Sequence, residues 1–482
     1  MNQMPDTTKI EESPGSFYLH DEAIDRAVGA VVGSAVGDAL GAFYETAYPR
    51  FDEEITMRPG GGFDHRRALG GWTDDTSMAL GILDALAAGH AEAVAELAEA
   101  VARHREAGRG DEGHDDEGRG DEGRGDEGLD DEGRGVPDRP DWHWDPPPIR
   151  LPAMAANFLR WYRGGPPDVG IQTSQILGSA ASPEDVAEAA RRFAEANPDS
   201  AGNGALMRTA PVALAGYLSD HVAPLAAEVA ELTHPHPDSV DACVLWSVAV
   251  NQAIHDRLRW LTLPGDLGGT DDGPEGTVDF RKAVRSGLEF LPEARRDRWS
   301  GLIDAAVAVS DPAEARRLFT PNGWVVTAFQ AALWAISATP VRSPSQHFRD
   351  ALVAAVRLGH DTDTVAAIAG GLLGARWGLA AIPAEWTRCL HGDRVRGETV
   401  TGAELAAIAL AAFDCTIRRW FSLRAEHWNT PIPMTKVTAE NVDELTRRAK
   451  VWEKYRRQVE ETGDTDSEIL YEAGIFKRPD DE

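Results

Sequence analysis

Two short clusters of oxygen-bearing side chains lie far apart in the chain, and each directly precedes an apolar helix-forming run. The clusters are Thr73, Asp74 and Asp75 in GGWTDDTSMAL, and Asp361, Asp363 and Thr364 in GHDTDTVAAIAGG. One interpretation is helix capping, because Asp and Thr accept hydrogen bonds from the free amides of a helix N-terminus and lie near its positive end. For either cluster alone, capping would be the simpler interpretation.

The number of carboxylates favours a second interpretation. Capping needs one or two acceptors, whereas each cluster supplies three oxygen-bearing side chains. Burying several carboxylates together is costly unless cations neutralise them. Ligands that are all oxygen select hard ions such as Mg²⁺, Mn²⁺ or Ca²⁺ over zinc. Because four aspartates balance two divalent ions, the residues favour a binuclear hard-cation centre, provided that folding brings the clusters together.

The elements that must position these clusters are helices. Apolar residues recur at helical spacing, and we find no convincing alternation of apolar and polar residues between hairpin turns. The pattern predicts helices over residues 24–45 and 72–106, and another that begins at Ala205. The run from Val28 to Ala42 is too short for a membrane span and contains Asp38, so it predicts a buried, tightly packed helix. The predicted fold class is all-α.

Composition divides the chain into one helical domain with appended segments. We expect a disordered N-terminus over residues 1–20, a helical domain over 21–420, and a charged helical extension over 421–482. Residues 108–135 repeat G-R-G-D-E-G with almost no apolar side chain. Such a segment cannot bury enough surface to fold, so we predict an acidic low-complexity insert within the domain.

Charge and cysteine content exclude several classes of protein. The chain carries 48 Lys and Arg against 79 Asp and Glu, a net charge of −31. That charge works against nonspecific contact with nucleic acid or an anionic membrane surface. Cys243, Cys389 and Cys415 lie on apolar helical patterns at wide spacing, which predicts reduced core thiols and neither a disulfide framework nor a zinc cluster. The first residues resemble no secretion signal, so the cytoplasm is the expected location.

Five motifs give the chain a recognisable signature. In order along the chain they are G-D-A-L-G-A-F-Y-E, W-T-D-D-T, G-N-G-A-L-M-R, T-H-P-H and G-H-D-T-D-T. The order resembles that of the ADP-ribosylglycohydrolase family, in particular its dinitrogenase-reductase-activating glycohydrolase branch. The resemblance covers roughly residues 24–415 apart from the acidic insert, and five ordered motifs are far more specific than one.

The resemblance implies a compact orthogonal helical bundle that holds two Mg²⁺ or Mn²⁺ ions at the base of a cleft. By motif match it implies the metal ligands Thr73, Asp74, Asp75, Asp361, Asp363 and Thr364, of which Asp75 and Asp363 are central to catalysis. It implies further roles near the substrate for Glu45, Asp168, Gly202, Asn203, Gly204 and His234.

These further residues also have plainer interpretations. Glu45 is implied beside the metals, but it could be a solvated Glu at a helix end. Asp168 could be a general base or could only stabilise a turn. The turn at 202–204 could present backbone amides to a pyrophosphate at the start of the helix predicted from Ala205, or be purely structural. His234 could contact the ribose or only bond to a helix end.

The implied activity is hydrolysis of ADP-ribose from a modified acceptor, a protein side chain or a small molecule. Bound cations would orient the distal ribose and lower the pKa of a water molecule, and Glu45 or Asp168 would transfer a proton. Two alternatives remain: hydrolysis of another ribosyl compound, and a non-catalytic ADP-ribose-binding relative. Both complete aspartate clusters argue against the second, and the linkage to the acceptor stays open.

Overall fold

A computed structural model describes residues 15–88, 151–262 and 280–427. Its α-helices are α1 Gly15–Gly41, α2 Asp74–Ala87, α3 Leu151–Arg163, α4 Ile171–Ser179, α5 Val186–Ala196, α6 Ser219–Glu231, α7 Pro237–Thr262, α8 Phe280–Arg285, α9 Glu293–Ala308, α10 Pro312–Phe319, α11 Val325–Ala338, α12 Pro344–Leu358, α13 Thr362–Trp377, α14 Ala384–Thr387 and α15 Gly402–His427. Short 3-10 helices lie at Pro183–Asp185, Ala210–Ala215, Ser286–Phe290 and Leu379–Ala381. The two strands are β1 His391–Val395 and β2 Glu398–Thr401.

The centre of the fold is the contact between α1 and α13, whose backbones touch. A Cβ atom added to Gly33 would lie 2.5 Å from the carbonyl oxygen of Gly370, and one on Gly37 would lie 2.0 Å from that of Ala366. Only glycine permits so close an approach. The helices run in opposite directions, so the C-terminal end of α1 meets the N-terminal end of α13. This arrangement brings the end of α1 to the second acidic cluster.

Other helices enclose this pair. Helices α7, α11 and α12 pack against α13, and α2 packs against α3 and α15. The Trp246 indole of α7 donates a hydrogen bond to the carbonyl oxygen of Ile368 in α13 at 3.0 Å. The Trp246 ring also packs edge-on against Phe329 of α11, with 5.2 Å between centroids. These contacts fix the position of α13, and with it the position of the aspartates in its first turn.

The all-α class is confirmed, with one small hairpin that the sequence pattern did not predict. Strands β1 and β2 form an antiparallel pair, and the Trp72 amide donates to the carbonyl oxygen of His391 at 3.0 Å. Each strand has only four or five residues, too few for a clear alternation to appear in the sequence. The hairpin holds the segment that leads into α2.

Two predicted helices have different bounds, and one is absent. Helix α1 ends at Gly41, so residues 42–45 form a turn after it. Helix α2 begins at Asp74, and the remainder of the predicted helix beyond residue 88 lies outside the described residues. The helix predicted from Ala205 is wrong: turns lead to the short 3-10 helix Ala210–Ala215. Pro211 accounts for this, because it has no amide hydrogen to donate within an α-helix.

Of the three cysteines, two lie as expected. Cys243 and Cys415 are buried in α7 and α15, whereas Cys389 is half-buried in a turn after α14 and not on a helix. All three are free thiols. Across the described ranges, none of the helices has the length and apolar character needed to cross a membrane. The acidic insert and the charged C-terminal helix lie outside those ranges and stay predictions.

Candidate active site

The first acidic cluster is anchored by Asp38, a carboxylate buried within α1. Its oxygens accept hydrogen bonds from the backbone amides of Thr73 at 3.0 Å and of Thr76 at 3.1 Å. The Thr76 hydroxyl donates to it at 2.6 Å, and the Thr73 hydroxyl oxygen lies 2.9 Å from Asp38 and 3.0 Å from Asp75. Asp38 therefore accepts hydrogen bonds from two of the free amides at the start of α2, a task that capping would have assigned to the cluster itself.

The second cluster is held by loops and not by its own helix. Asp361 occupies the N-cap of α13 but accepts no hydrogen bond from the helix amides. Instead, Asn203 Nδ2 donates to Asp361 Oδ2 at 2.7 Å, and the Asp361 amide donates to Asn322 Oδ1 at 2.9 Å. Thr73, the N-cap of α2, likewise forms no side-chain cap. Capping therefore does not explain either cluster.

Folding brings the two clusters together at the junction of α1, α2 and α13. One carboxylate oxygen from each of Asp38, Asp75 and Asp363 lies within 4.8 Å of the others. These side chains are 0%, 2% and 3% exposed. Oδ1 of Asp75 and Oδ1 of Asp363 are buried and have no hydrogen-bond partner. Because buried polar atoms are normally satisfied, these oxygens need a partner that the protein does not supply, and a hard cation fits them.

The raised pKa values of the carboxyl groups in the site also indicate that positive charge is needed for them to ionise together. Burial, together with the nearby Asp168 carboxylate, raises the pKa of Glu45 to about 8. Burial raises the pKa of Asp74 to about 7, with Asp168 again adding to the rise. Burial and neighbouring carboxylates raise the pKa values of Asp75 and Asp363 well above the ordinary range. Without cations, Glu45 therefore holds a proton at neutral pH, and the aspartates ionise less readily than exposed ones.

Arg67 supplies positive charge from the loop before α2. It is buried, and its charge lowers the pKa values of Asp38, Glu45 and Asp168, against the effect of burial. Both of its terminal nitrogens are buried without a hydrogen-bond partner. One guanidinium offsets only one of the charges gathered here, so the carboxylates still require cations for all of them to ionise.

Three further predicted residues lie near the second acidic cluster. Thr364 is buried in the first turn of α13, with its hydroxyl 3.9 Å from the Met207 sulfur. Asn203 is 9% exposed and reaches Asp361, as described above. His234 lies against the turn at 202–204: a Cβ atom on Gly204 would lie 2.8 Å from its ring Cε1. Asn203 therefore lies beside Asp361, and His234 lies beside the turn that contains Asn203.

The phosphate-binding role predicted for the 202–204 turn stays a prediction, with one of its two supports removed. The helix whose amides were expected to face a pyrophosphate is absent. The Asn203 amide is already engaged, because it donates to the carbonyl oxygen of Gly323 at 3.1 Å. The Gly202 carbonyl oxygen accepts a hydrogen bond from the Ser239 hydroxyl at 3.1 Å. The turn also directs the Asn203 side chain at Asp361.

Sequence reasoning missed three residues of this site. Asp38 had a usable signal, because a carboxylate within an apolar, glycine-spaced helix must be satisfied after burial. Asn322 and Arg67 had none, since their partners come from elements distant in the chain. The Asn322 side chain also donates to the Gly359 carbonyl oxygen at 3.1 Å, which fixes the turn that precedes Asp361.

Comparison with known proteins gives consistent matches. A family model described as ADP-ribosylglycohydrolase matches residues 19–417. The ADP-ribosylarginine hydrolase Tri1 of Pseudomonas putida (strain GB-1) is 28% identical over 243 residues, which are 48% of this chain and 55% of that protein. Human ADP-ribosylhydrolase ARH3 is 27% identical over 251 residues, 50% of this chain and 68% of that protein. The chain thus spans just over half the length of the first relative.

A solved structure agrees on the fold. It is described as an ADP-ribosylglycohydrolase-related protein complex and has 26% sequence identity and a TM-score of 0.50. The match covers 82% of this chain and 99% of that chain. The helical architecture around the site is therefore shared with a protein of known structure.

Proposed function

Because this chain belongs to the ADP-ribosylglycohydrolase family, we propose that it hydrolyses the bond between ADP-ribose and a modified acceptor. Water would attack the anomeric carbon of the distal ribose. The observation that supports this most strongly is the meeting of Asp38, Asp75 and Asp363, with unpartnered buried oxygens on the last two. A structural carboxylate cluster would have its own hydrogen-bond donors.

The donor set fits two hard divalent cations, Mg²⁺ or Mn²⁺. The residues that would hold them are Thr73, Asp74, Asp75, Asp361, Asp363 and Thr364. When bound, such ions polarise substrate oxygens and lower the pKa of a coordinated water. Asp38 would hold Thr73 and the start of α2 in place, and Asn203 would orient Asp361 through their 2.7 Å hydrogen bond.

Glu45 is the residue we favour for proton transfer. Its raised pKa means that it holds a proton near neutral pH in the metal-free protein, and its buried Oε2 has no protein partner. A carboxyl group in this state can exchange a proton with a leaving group or with water. Burial is how proteins bring the pKa of such a group near neutral pH. Asp168 is the second candidate, since burial raises its pKa as well.

The acceptor is proposed to be a protein side chain. Arginine is the first candidate, because one relative is an ADP-ribosylarginine hydrolase. Hydrolysis of another ribosyl compound uses the same chemistry at the ribose. A role in binding alone is disfavoured because both aspartate clusters are complete, and one buried oxygen each of Asp75 and Asp363 lacks a protein partner.

The test is a panel of arginine-, serine- and nucleic-acid-linked ADP-ribose substrates, each incubated with the full chain with and without Mg²⁺ or Mn²⁺. We expect release of ADP-ribose from at least one substrate and loss of release after chelation. Asp75→Asn should abolish it, whereas Asp84→Asn, in the same helix but paired with Arg394 at 3.0 Å, should not. Tight binding of ADP-ribose without any release would instead support a binding protein.

A further inference from the structure

A buried hydrogen-bond chain runs from Arg208 through Thr233 to His234. Arg208 Nη2 donates to the Thr233 hydroxyl at 2.6 Å, and that hydroxyl lies 2.8 Å from His234 Nδ1. Arg208 and Thr233 are fully buried and His234 is 2% exposed. We propose that Arg208 and Thr233 are positioning residues that hold His234 in one tautomer, with its proton on Nε2.

The direction of this chain follows from counting hydrogens. A guanidinium has donors and no acceptor, so Arg208 can only donate to the hydroxyl. The hydroxyl has one hydrogen, and His234 Nδ1 is the acceptor within reach. If Nδ1 carried the proton instead, two donors would point at the Thr233 oxygen, and the hydroxyl hydrogen would be buried without an acceptor. The proton of the neutral ring must therefore lie on Nε2.

The surroundings of these hydrogen bonds keep Arg208 charged and His234 neutral. The Arg208 guanidinium lies 4.5 Å from the centroid of the Phe158 ring, and Nη1 lies 3.5 Å from the Met78 sulfur. Burial lowers the pKa of Arg208 to about 10, so it stays charged. Burial, assisted by the Arg208 charge, lowers the pKa of His234 to about 3. His234 is thus neutral at physiological pH, and its role depends on which nitrogen holds the proton.

Nε2 of His234 faces the turn that leads to the carboxylates. It lies 3.3 Å from where a Cβ atom on Gly202 would be and 3.0 Å from one on Gly204. Within the described parts of the chain, no protein group accepts a hydrogen bond from it. Asn203, which lies between these two glycines, donates a hydrogen bond to Asp361. An N–H donor at this place would meet a substrate oxygen, of a ribose hydroxyl or a phosphate.

That last step rests on the proposed function, whereas the tautomer does not. The ring can therefore be examined without any substrate. Its two nitrogens give different signals in a long-range ¹H–¹⁵N spectrum of the full chain labelled at histidine. His234→Gln identifies the His234 signals by their disappearance.

We expect wild type and Thr233→Ser to show the Nε2-protonated ring, because serine retains the hydroxyl. Thr233→Val keeps the shape but removes the hydroxyl, and should yield a mixture of tautomers or the Nδ1-protonated ring. A wild-type spectrum with the proton on Nδ1 would overturn the proposal. So would an unchanged tautomer in Thr233→Val.

Substrate contact is tested by calorimetry with ADP-ribose. One lost hydrogen bond corresponds to about tenfold weaker binding, so Thr233→Val should bind about tenfold more weakly and Thr233→Ser nearly as well as wild type. In turnover, we expect the change in KM and not in kcat. A changed tautomer with unchanged affinity would refute the substrate contact alone. If wild type failed to bind ADP-ribose, the proposed function would fail while the spectrum still decided the tautomer.

Discussion

The contact between α1 and α13 and the carboxylate site at the end of that contact are built in opposite ways. Along the contact, backbone meets backbone, with Gly33 opposite Gly370 and Gly37 opposite Ala366. At its end, Asp75 and Asp363 have buried oxygens without partners. The first region is complete without a bound ligand, whereas the second leaves buried oxygens without a partner. Stability and function are thus assigned to adjoining parts of the same helices.

This difference has a physical cause. Close packing resists displacement, so a backbone contact is a firm support for side chains at its end. A cation site needs carboxylates held close together before the cation arrives, which costs free energy that the rest of the fold must supply. The comparison predicts that changes in the contact lower stability, whereas removing charge from the site raises the stability of the metal-free protein.

The largest expected effect on stability is that of Gly37→Ala. Its Cβ atom would lie 2.0 Å from the Ala366 carbonyl oxygen, so the two helices must separate. We expect a loss of about 3 kcal/mol or more in unfolding free energy, at the upper end for overpacking. Gly301→Ala is the control, because a Cβ atom there meets nothing within 4 Å. Urea unfolding measures both, and equal stability of the two variants would refute the backbone contact.

A smaller loss is expected from Asp38→Ala, at the boundary of the two regions. The amides of Thr73 and Thr76 would lose their acceptor, which costs about 2 kcal/mol after relief of the buried charge. Asp311→Ala removes an exposed N-cap that accepts from the Ala313 amide at 3.1 Å and should cost about 1 kcal/mol. If urea unfolding shows Asp38→Ala to be as stable as wild type, Asp38 does not anchor α2.

The pH dependence of stability is a further test of the carboxylate site. The pKa values of Glu45 and Asp74 are about 8 and about 7 in the folded protein, above those of unfolded carboxyl groups. Their contribution to stability is full below the unfolded pKa values and is lost as the pH rises through 7 and 8. After metal ions have been removed by chelation, the protein should therefore melt at a lower temperature at pH 8 than at about pH 5. Glu45→Gln should flatten that decline, and a melting temperature that rises over this range would contradict the assignment.

Some of this arrangement could be predicted from the residues. The clusters around Asp75 and Asp363 carry more carboxylates than capping needs, and the glycine spacing of α1 indicates tight packing. The absent helix after Ala205 could also have been anticipated, because Pro211 interrupts it. What no local pattern shows is which residues from elsewhere orient the ligands. Asn322 is an example, since its role exists only after folding brings it to Asp361.

The central claim is that the two clusters form one cation site, and metal-dependent melting tests it most directly. Wild type, Asp75→Asn, Asp363→Asn and the double variant would be melted with chelator and with millimolar Mg²⁺, with Asp84→Asn as the matched control. A ligand that binds only the folded state raises its melting temperature. We predict that Mg²⁺ stabilises wild type and Asp84→Asn, that each site variant loses nearly all of this shift, and that the double variant loses little more. Without metal, the site variants should melt above wild type, because an amide avoids the free-energy cost of burying or protonating these carboxylates on folding. Full Mg²⁺ stabilisation of either single site variant would contradict a shared cation site.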